Sequence, residues 1–273
     1  MTEHNADSGA ARPKIDTTVS HSARIWNYWL GGKDNYPVDK EMGDQILAYV
    51  PELVRSARAD RYFLSRAVRY LAQEQGIRQF LDIGAGLPTV DNTHEVAQRI
   101  VPECRIVYVD NDPLVLVHAQ ALLTSTPEGV CDYIDADLCE PGKILAKAAE
   151  TLDFSKPIAI MMLGILNFIV DTDQARTVLR HLLEGVPSGS YISISHPTTE
   201  VDAEPAAVAL GFWNSSGAAP MCLRSREELL LFFEGTELVA PGVVSCPRWR
   251  PDLAEPDEVV DVMHFCGVAR RPL

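Results

Sequence analysis

The chain has 273 residues, and a hydrophobic content of 47% allows a large buried core within one domain. A formal net charge of -14 at pH 7 disfavours a phosphate-rich partner, so we do not expect nucleic acid as a substrate. No apolar run approaches the ~20 residues that cross a bilayer, so we expect no membrane partner. The six cysteines form no C-x-x-C pair, which argues against structural zinc and for reduced thiols. These observations predict a cytoplasmic protein.

The chain begins with a polar segment followed by a helical region. Residues 1–19 have little apolar content, which predicts a disordered tail. Residues 42–75 carry helical periodicity in two pieces, with a break near Pro51. We expect residues 20–76 to form a helical N-terminal arm of a single domain that spans residues 20–273.

A glycine-containing turn follows the first predicted strand, Gln79–Ile83. This strand carries Asp82 and leads into Gly84-Ala85-Gly86, and a second predicted strand ends in Asp110. The carboxyl ends of parallel strands meet at the edge where open α/β folds bind ligands, so this order predicts half of a nucleotide-type site. Glycine lets the backbone approach a ligand closely, and the carboxylate of Asp110 is placed to accept hydrogen bonds from ribose hydroxyls.

Two kinds of ligand compete for such a site. A dinucleotide fingerprint has a third small residue where this chain has Thr89 preceded by Pro88. Asp82 would also place negative charge beside a pyrophosphate, whereas it suits a ligand with an amino group or a sulfonium. The pattern resembles the first motif of class I methyltransferases that use S-adenosylmethionine (SAM), and it leaves an NAD-dependent oxidoreductase as the alternative.

The remaining pattern alternates helices with strands. Asn92 with Glu95, and Ser225 with Glu228, have the spacing of capping boxes at helix starts. Further elements are predicted as a helix starting at residue 113, strands at 105–110, 130–136, 157–163 and 190–195, a helix at 172–183 and late β segments at 237–245 and 259–269. Alternation predicts parallel strands, and the two late segments predict an antiparallel hairpin. The predicted fold class is therefore α/β, a doubly wound Rossmann-like sheet of seven mostly parallel strands with an antiparallel edge strand.

Three stretches of sequence resemble a known family. They are ARIWNYWLGGKDNYPVD from Ala23, LDIGAGLPTVDNTHEVAQ from Leu81 and VYVDNDPLVLVHAQALL from Val107. They resemble actinobacterial SAM-dependent methyltransferases of the class I type, a group long catalogued only as a domain of unknown function. The resemblance covers nearly the whole chain from about residue 20. It implies a methyltransferase fold and SAM as the cofactor, with no metal.

The resemblance also implies a set of cofactor-binding residues. Asp82, Gly84, Ala85 and Gly86 correspond to residues that face the methionine part of SAM, and Asp110 to the residue that holds its ribose. The other implied cofactor contacts are Asn111 beside the adenine, Asp137 and Leu138 at the adenine amino group, and Leu163 and Gly164 where the cofactor and substrate sites meet.

The segment around the Gly31-Gly32 turn predicts a lid over the cofactor. Aromatic side chains there would exclude water, and Arg24 or Lys33 would pair with the SAM carboxylate. We further expect Tyr28 to contact the cofactor, and Asn35 and Tyr36 to contact the substrate. The alternative interpretation places Tyr28 in the core of a structural arm.

Residues 196–225 are predicted to form a substrate-side insertion. Phe212 and Trp213 would line an apolar acceptor pocket, or else anchor a surface helix. A base can assist a hydroxyl or amine acceptor, and His196 at a strand end is the first candidate and His94 the second. His118, His181 and His264 are interpreted as structural. We expect a small-molecule acceptor, with a homodimer and a non-catalytic SAM-binding sensor left open.

Overall fold

The computed structural model describes residues 16–122, 124–252 and 259–272. The predicted disorder of the N-terminal tail therefore falls almost entirely outside the described residues. No helix in the described part of the chain is both long enough and apolar enough to cross a membrane.

One twisted sheet organises the molecule. Its strands are β1 (Gln79–Ile83), β2 (Arg105–Asp110), β3 (Val130–Asp135), β4 (Ala159–Leu163), β5 (Tyr191–Pro197), β6 (Glu237–Leu238), β7 (Val244–Ser245) and β8 (His264–Arg270). They lie in the order β3-β2-β1-β4-β5-β8-β6, with β7 also paired to β8. Strands β1 to β5 are parallel, and β8 is antiparallel to β5, β6 and β7. The predicted doubly wound sheet is confirmed.

The strand count differs from the prediction, because the described residues form eight strands rather than seven. The segment predicted as one late strand, residues 237–245, is divided into β6 and β7. Pro241 has no amide hydrogen for a ladder, and Gly242 adopts a φ of 87°, so the chain turns between the two short strands. The predicted antiparallel pairing of the late segments is confirmed.

Nine α-helices lie among the described residues. They are α1 (Ser22–Trp29), α2 (Pro37–Tyr49), α3 (Leu53–Arg69), α4 (Thr93–Ile100), α5 (Pro113–Leu122), α6 (Pro141–Ala148), α7 (Thr172–Glu184), α8 (Ala203–Ser215) and α9 (Arg226–Leu230). Both predicted capping boxes form, at Asn92 with Glu95 and at Ser225 with Glu228. The predicted break near Pro51 separates α2 from α3.

Helices cover both faces of the sheet because strand side chains alternate between the faces. Leu81 and Ile160 belong to a core that α6 and α7 close, whereas Phe80 and Met161 face Phe63 on the side of α3 and α4. A third apolar cluster joins α1 and α2 to α8 and includes Trp29, Ile46 and Trp213.

The start of the arm is fixed to α2 by one buried carboxylate. Asp39 is fully buried; its Oδ1 accepts the backbone N–H of His21 at 2.9 Å, and its Oδ2 accepts that of Tyr36 at 2.8 Å. These bonds satisfy amide groups at the starts of two helices. They join the start of α1 to the start of α2.

Candidate functional site

A cavity of about 410 Å³ lies between the carboxyl ends of the strands and the helical arm. This volume is in the range of small-molecule sites, ~300–1,000 Å³. We call the part formed by the sheet the strand-end half; its lining includes Asp82, Gly84, Ala85, Gly86, Leu87, Asp110, Asn111, Asp137, Leu138, Leu163, Gly164 and Ile165. We call the part formed by the arm and α8 the arm-side half; its lining includes Trp26, Trp29, Leu30, Ile46, Phe168, Ala206, Ala209, Leu210, Trp213, Met221, Leu223 and Met263.

The turn after β1 has a backbone that only glycine adopts readily. Gly84 and Gly86 have φ values of 77° and 65°. A Cβ at Gly84 would lie 2.5 Å from Cγ1 of Ile165, so this position also needs the absence of a side chain. Asp110 completes the turn, because its Oδ2 accepts the N–H of Gly86 at 2.9 Å.

One buried and one half-buried carboxylate give the strand-end half a negative wall. Asp82 is 5% exposed, and burial raises the pKa of its carboxyl to about 6, although its Oδ2 accepts a 2.6 Å bond from the Thr93 hydroxyl. Burial also raises the pKa of Asp110. A desolvated carboxylate gains most from a cationic partner, so this wall complements an ammonium or sulfonium ligand rather than a pyrophosphate.

Polar contacts link the residues that follow β2 and β3 at the edge of the strand-end half. The side-chain amide of Asn111 donates to Oδ2 of Asp137 at 3.4 Å, and Oδ1 of Asp137 accepts the N–H of Cys139 at 2.7 Å. These bonds fix two groups at a strand end. No cluster of three or more His, Cys, Asp or Glu side chains suited to a metal ion occurs within residues 16–122, 124–252 and 259–272.

A family model described as S-adenosyl methyltransferase matches residues 8–272. The chain belongs to this family. Membership confirms the family that the sequence resembles and SAM as its cofactor. The acidic strand-end half fits that cofactor, because SAM carries both an ammonium and a sulfonium.

Two crystal structures are similar to this methyltransferase over nearly its whole length. A DUF574 family protein from Streptomyces avermitilis is 46% identical, with a TM-score of 0.90, covering 95% of this chain and 100% of that one. A candidate methyltransferase from Thermobifida fusca is 36% identical, with a TM-score of 0.87, covering 97% of this chain and 100% of that one. Among curated proteins, none matches the chain.

The strand-end half brings together most of the residues that the sequence predicts for the cofactor. Those that line the cavity are Asp82, Gly84, Ala85, Gly86, Asp110, Asn111, Asp137, Leu138, Leu163 and Gly164. Their contacts with the cofactor remain predictions.

The three cofactor contacts predicted in the arm are not brought to the cavity. Arg24 is buried away from it: its guanidinium donates to the carbonyls of Asp16 and Val19, and its Nε lies 3.7 Å from Asp39. Lys33 is exposed to solvent outside the cavity. Tyr28 donates its hydroxyl to Asp44 at 2.6 Å and packs against Gly43, because it lies on the face of α1 that meets α2.

Of the four residues predicted to contact the substrate, one lines the cavity and three do not. Trp213 lines the arm-side half and donates its indole N–H to the carbonyl of Ala219. Phe212 turns instead toward Tyr49, with ring centroids 6.1 Å apart. The Asn35 amide donates to Asn27, and Tyr36 packs with Leu87 beneath the arm, so neither lines the cavity.

The two histidines predicted as bases are also withdrawn from the cavity. His196 is fully buried: its Nε2 accepts from the Arg224 guanidinium at 2.8 Å and its Nδ1 donates to the carbonyl of Pro197 at 2.7 Å. Burial lowers its pKa to about 3. His94 bonds the Tyr108 hydroxyl at 2.8 Å inside the layer between α4 and β2. Neither ring lines the cavity, and a role as base for either one stays a prediction.

Several cavity residues were missed from the sequence, namely Asp60, Arg61, Asn167 and His264. For Asp60 a signal existed, because it interrupts an otherwise apolar stripe of α3 formed by Ala57, Leu64 and Ala67. A carboxylate inside such a stripe is seldom buried without a partner. His264 gave no comparable signal, because it is the first residue of a strand without alternating polarity.

Proposed function

We propose that this methyltransferase transfers the methyl group of SAM to a small-molecule acceptor by in-line displacement. One observation carries the proposal: the acidic strand-end half and the apolar arm-side half form a single continuous cavity. Bound SAM supplies an electrophilic methyl group on sulfur. The chain then has to hold an acceptor in line with that methyl, and such positioning can supply ~7–11 kcal/mol of the barrier.

In this proposal the strand-end half holds the cofactor. Asp82 accepts hydrogen bonds from the amino group of SAM, and Asp110 accepts them from the ribose hydroxyls while it keeps the glycine turn in shape. Asn111, Asp137 and Leu138 contact the adenine. Arg61 takes the role that Arg24 and Lys33 were expected to have. It lines the cavity, and among the described residues only its Nη2 donates hydrogen bonds, to the carbonyls of Val90 and Asp91.

The arm-side half holds the acceptor. Its lining is almost wholly aliphatic or aromatic, and α1 with α8 covers it, which excludes water from the transferring methyl. A small apolar molecule suits these walls better than a charged polymer does. The net charge of -14 supports the same choice.

Calorimetric titration with SAM, S-adenosylhomocysteine and NAD tests the cofactor assignment. We expect binding of the first two and not of NAD. Asp110→Ala should abolish that binding, and Asp110→Asn should weaken it less, because one amide oxygen can still accept the N–H of Gly86. Binding of NAD alone would overturn the proposal. Cofactor binding without turnover of any acceptor would favour a SAM-binding sensor.

A further inference from the structure

Three buried polar side chains line the cavity with an atom that has no hydrogen-bond partner among the described residues. These atoms are Oδ1 of Asp60, Oδ1 of Asn167 and Nδ1 of His264. The residues are 4%, 4% and 3% exposed. Buried polar atoms in native proteins are nearly always paired, so unpaired atoms on three residues that line one cavity indicate that a ligand supplies their partners.

The three groups come from neighbouring parts of the sheet edge. Ser56, one turn before Asp60 on α3, accepts the N–H of Met263 at 3.3 Å, which lays this part of α3 over the start of β8. His264 follows Met263 and pairs with Pro197 at the end of β5. Asn167 lies in the turn after β4, and its carbonyl accepts the N–H of Cys222 at 2.9 Å.

The turn that carries Asn167 is held from behind by a buried cation. The Arg224 guanidinium donates to the carbonyls of Leu166 and Ile169 on either side of Asn167, at 3.2 and 2.7 Å, and to Nε2 of His196. His196 is therefore a positioning residue for this turn. Rigid support of this kind allows the unpaired amide to meet a ligand in a defined direction.

Asp60 is separate from the carboxylate assigned to the cofactor. Asp82 lies on β1, and two strand spacings of ~4.8 Å separate β1 from β5. Besides burial, the Ser195 side chain of β5 lowers the pKa of Asp60 and Asp82 raises it, so both lie close to its carboxylate. Trp26 lines the same cavity and meets the His264 ring edge-on at 5.3 Å. The charged and titratable groups around Asp60 are Arg61, Asp82 and Cys246.

Resting on the proposed methyl transfer, we infer that the acceptor is a small aromatic compound with a phenolic hydroxyl, that Asp60 takes its proton, and that Asn167 and His264 orient it. The hydroxyl oxygen forms its bond to the methyl carbon as the carbon–sulfur bond breaks. The electron pair of that bond leaves with sulfur, giving S-adenosylhomocysteine, and the proton passes to the carboxylate. The products are an aryl methyl ether and a protonated Asp60, which releases its proton to solvent.

The acidity of the groups favours a phenol over an aliphatic alcohol. Burial raises the pKa of Asp60 to about 6, so it is ionised at neutral pH and more basic than an exposed aspartate. A phenolic hydroxyl has a pKa of about 10. A hydroxyl that is not attached to an aromatic ring is far less acidic; water, for example, has a pKa of about 15.7. Proton transfer to a carboxylate is therefore easier from a phenol. Burial lowers the pKa of His264 to about 4, so its ring is neutral and can pair with the same hydroxyl.

The test compares Asp60→Asn with Asp82→Asn, because both carboxyls are buried in the cavity and burial raises both pKa values to about 6. S-adenosylhomocysteine affinity is measured first, and its absence in the wild type would fail the proposed function rather than this inference. The probes are 2-naphthol and 2-methylnaphthalene, in which a methyl group replaces the hydroxyl. Each is titrated into protein saturated with S-adenosylhomocysteine. Conversion of 2-naphthol to 2-methoxynaphthalene with SAM is then followed by chromatography.

We expect the wild type to bind 2-naphthol about tenfold more tightly than 2-methylnaphthalene, and to methylate it. Asp60→Asn should keep S-adenosylhomocysteine affinity, lose the preference for the hydroxyl and lower kcat by ~10²–10⁴. Asp82→Asn should instead lower S-adenosylhomocysteine affinity by about tenfold or more. Asn167→Leu should raise KM for 2-naphthol with little change in kcat.

Three outcomes would overturn the inference. The first is a wild type that binds S-adenosylhomocysteine but neither prefers nor methylates 2-naphthol. The second is an Asp60→Asn variant that methylates at the wild-type rate. The third is an Asp60→Asn variant that loses S-adenosylhomocysteine affinity as Asp82→Asn does, which would assign Asp60 to the cofactor.

Discussion

The buried carboxylate of Asp82 lowers the free energy of unfolding of the ligand-free protein, by an amount that depends on pH. Its native pKa of about 6 lies above the ordinary value of 3.8, so between these values the folded state binds more protons than the unfolded chain. Stability therefore falls as pH rises through this window, by about 3 kcal/mol once both states are ionised. A buried amide carries no such penalty.

We predict that Asp82→Asn raises the free energy of unfolding of the ligand-free protein at pH 7.5 by about 1–3 kcal/mol. The asparagine oxygen can still accept the bond from Thr93. Urea unfolding at pH 7.5 and at pH 4 measures the difference, which should shrink at the lower pH. Asp173→Asn, at a side chain that is 90% exposed, is the control and should change little. An Asp82→Asn variant that is less stable at both pH values would contradict the argument.

The two glycines of the turn after β1 differ in what they require. Both have positive φ, which costs about 1–2 kcal/mol for a residue with a Cβ. Only Gly84 also faces a side chain, since its Cβ would meet Ile165, whereas a Cβ at Gly86 would have no neighbour within 4 Å. We predict a loss of stability of about 2–4 kcal/mol for Gly84→Ala and about 1 kcal/mol for Gly86→Ala. Equal shifts of the two urea midpoints would show that close approach to Ile165 is unimportant.

At the scale of elements, the arm depends on Asp39. Replacing it by alanine leaves the N–H groups of His21 and Tyr36 without their acceptors, at a cost of about 2–4 kcal/mol in total. Helices α1 and α2 pack against α8 in the third apolar cluster, apart from the two cores of the sheet. The loss should therefore release the arm before the sheet unfolds. We predict faster tryptic cleavage at Lys33 and Lys40 and weaker binding of S-adenosylhomocysteine.

Asp44→Ala is the matched control for Asp39→Ala. It removes another carboxylate from α2, but this one is exposed, and its one side-chain hydrogen bond within the described residues is to the Tyr28 hydroxyl. The control should keep the wild-type cleavage rate. If Asp39→Ala unfolds in one transition with no early cleavage, the arm is an inseparable part of the core rather than a lid.

Local signals in the sequence were sufficient for most elements. The strands β1 and β2 end where predicted because a glycine turn and Asn111-Asp112-Pro113 interrupt them, and both capping boxes mark helix starts through bonds only three residues apart. The same strand ends predicted the strand-end half, since parallel topology alone brings those residues to one edge.

The arm-side half depends on contacts between distant segments, and there the sequence misled. Arg24 donates hydrogen bonds to carbonyls of the preceding coil. Arg224 donates one to the ring of His196, which lies 28 residues earlier in the sequence. Periodicity states which face of a helix is buried but not which element covers it. Asp60 and His264 thus meet the same cavity although 204 residues separate them in the sequence.

At the scale of the whole molecule, the arm and the sheet contribute different walls of the cavity. The sheet supplies carboxylates and glycines at fixed strand ends, and α1, α2 and α8 supply apolar walls that the sheet edge lacks. A cavity closed in this way can make a buried carboxylate basic and keep water from the reacting atoms. A substrate has to be small enough to enter it.

Charge is a second reason, independent of the cavity, to expect no large anionic substrate. The chain carries 38 acidic against 24 basic side chains, and several of its arginines are already paired, among them Arg69 with Asp252 and Arg99 with Asp91. We predict no complex with transfer RNA in a gel-shift assay at 50 mM salt, at protein concentrations of ~10⁻⁵ M where non-specific binders associate. S-adenosylhomocysteine should not change this result. An affinity that falls steeply with salt would reveal a basic surface and reopen nucleic acid as the methyl acceptor.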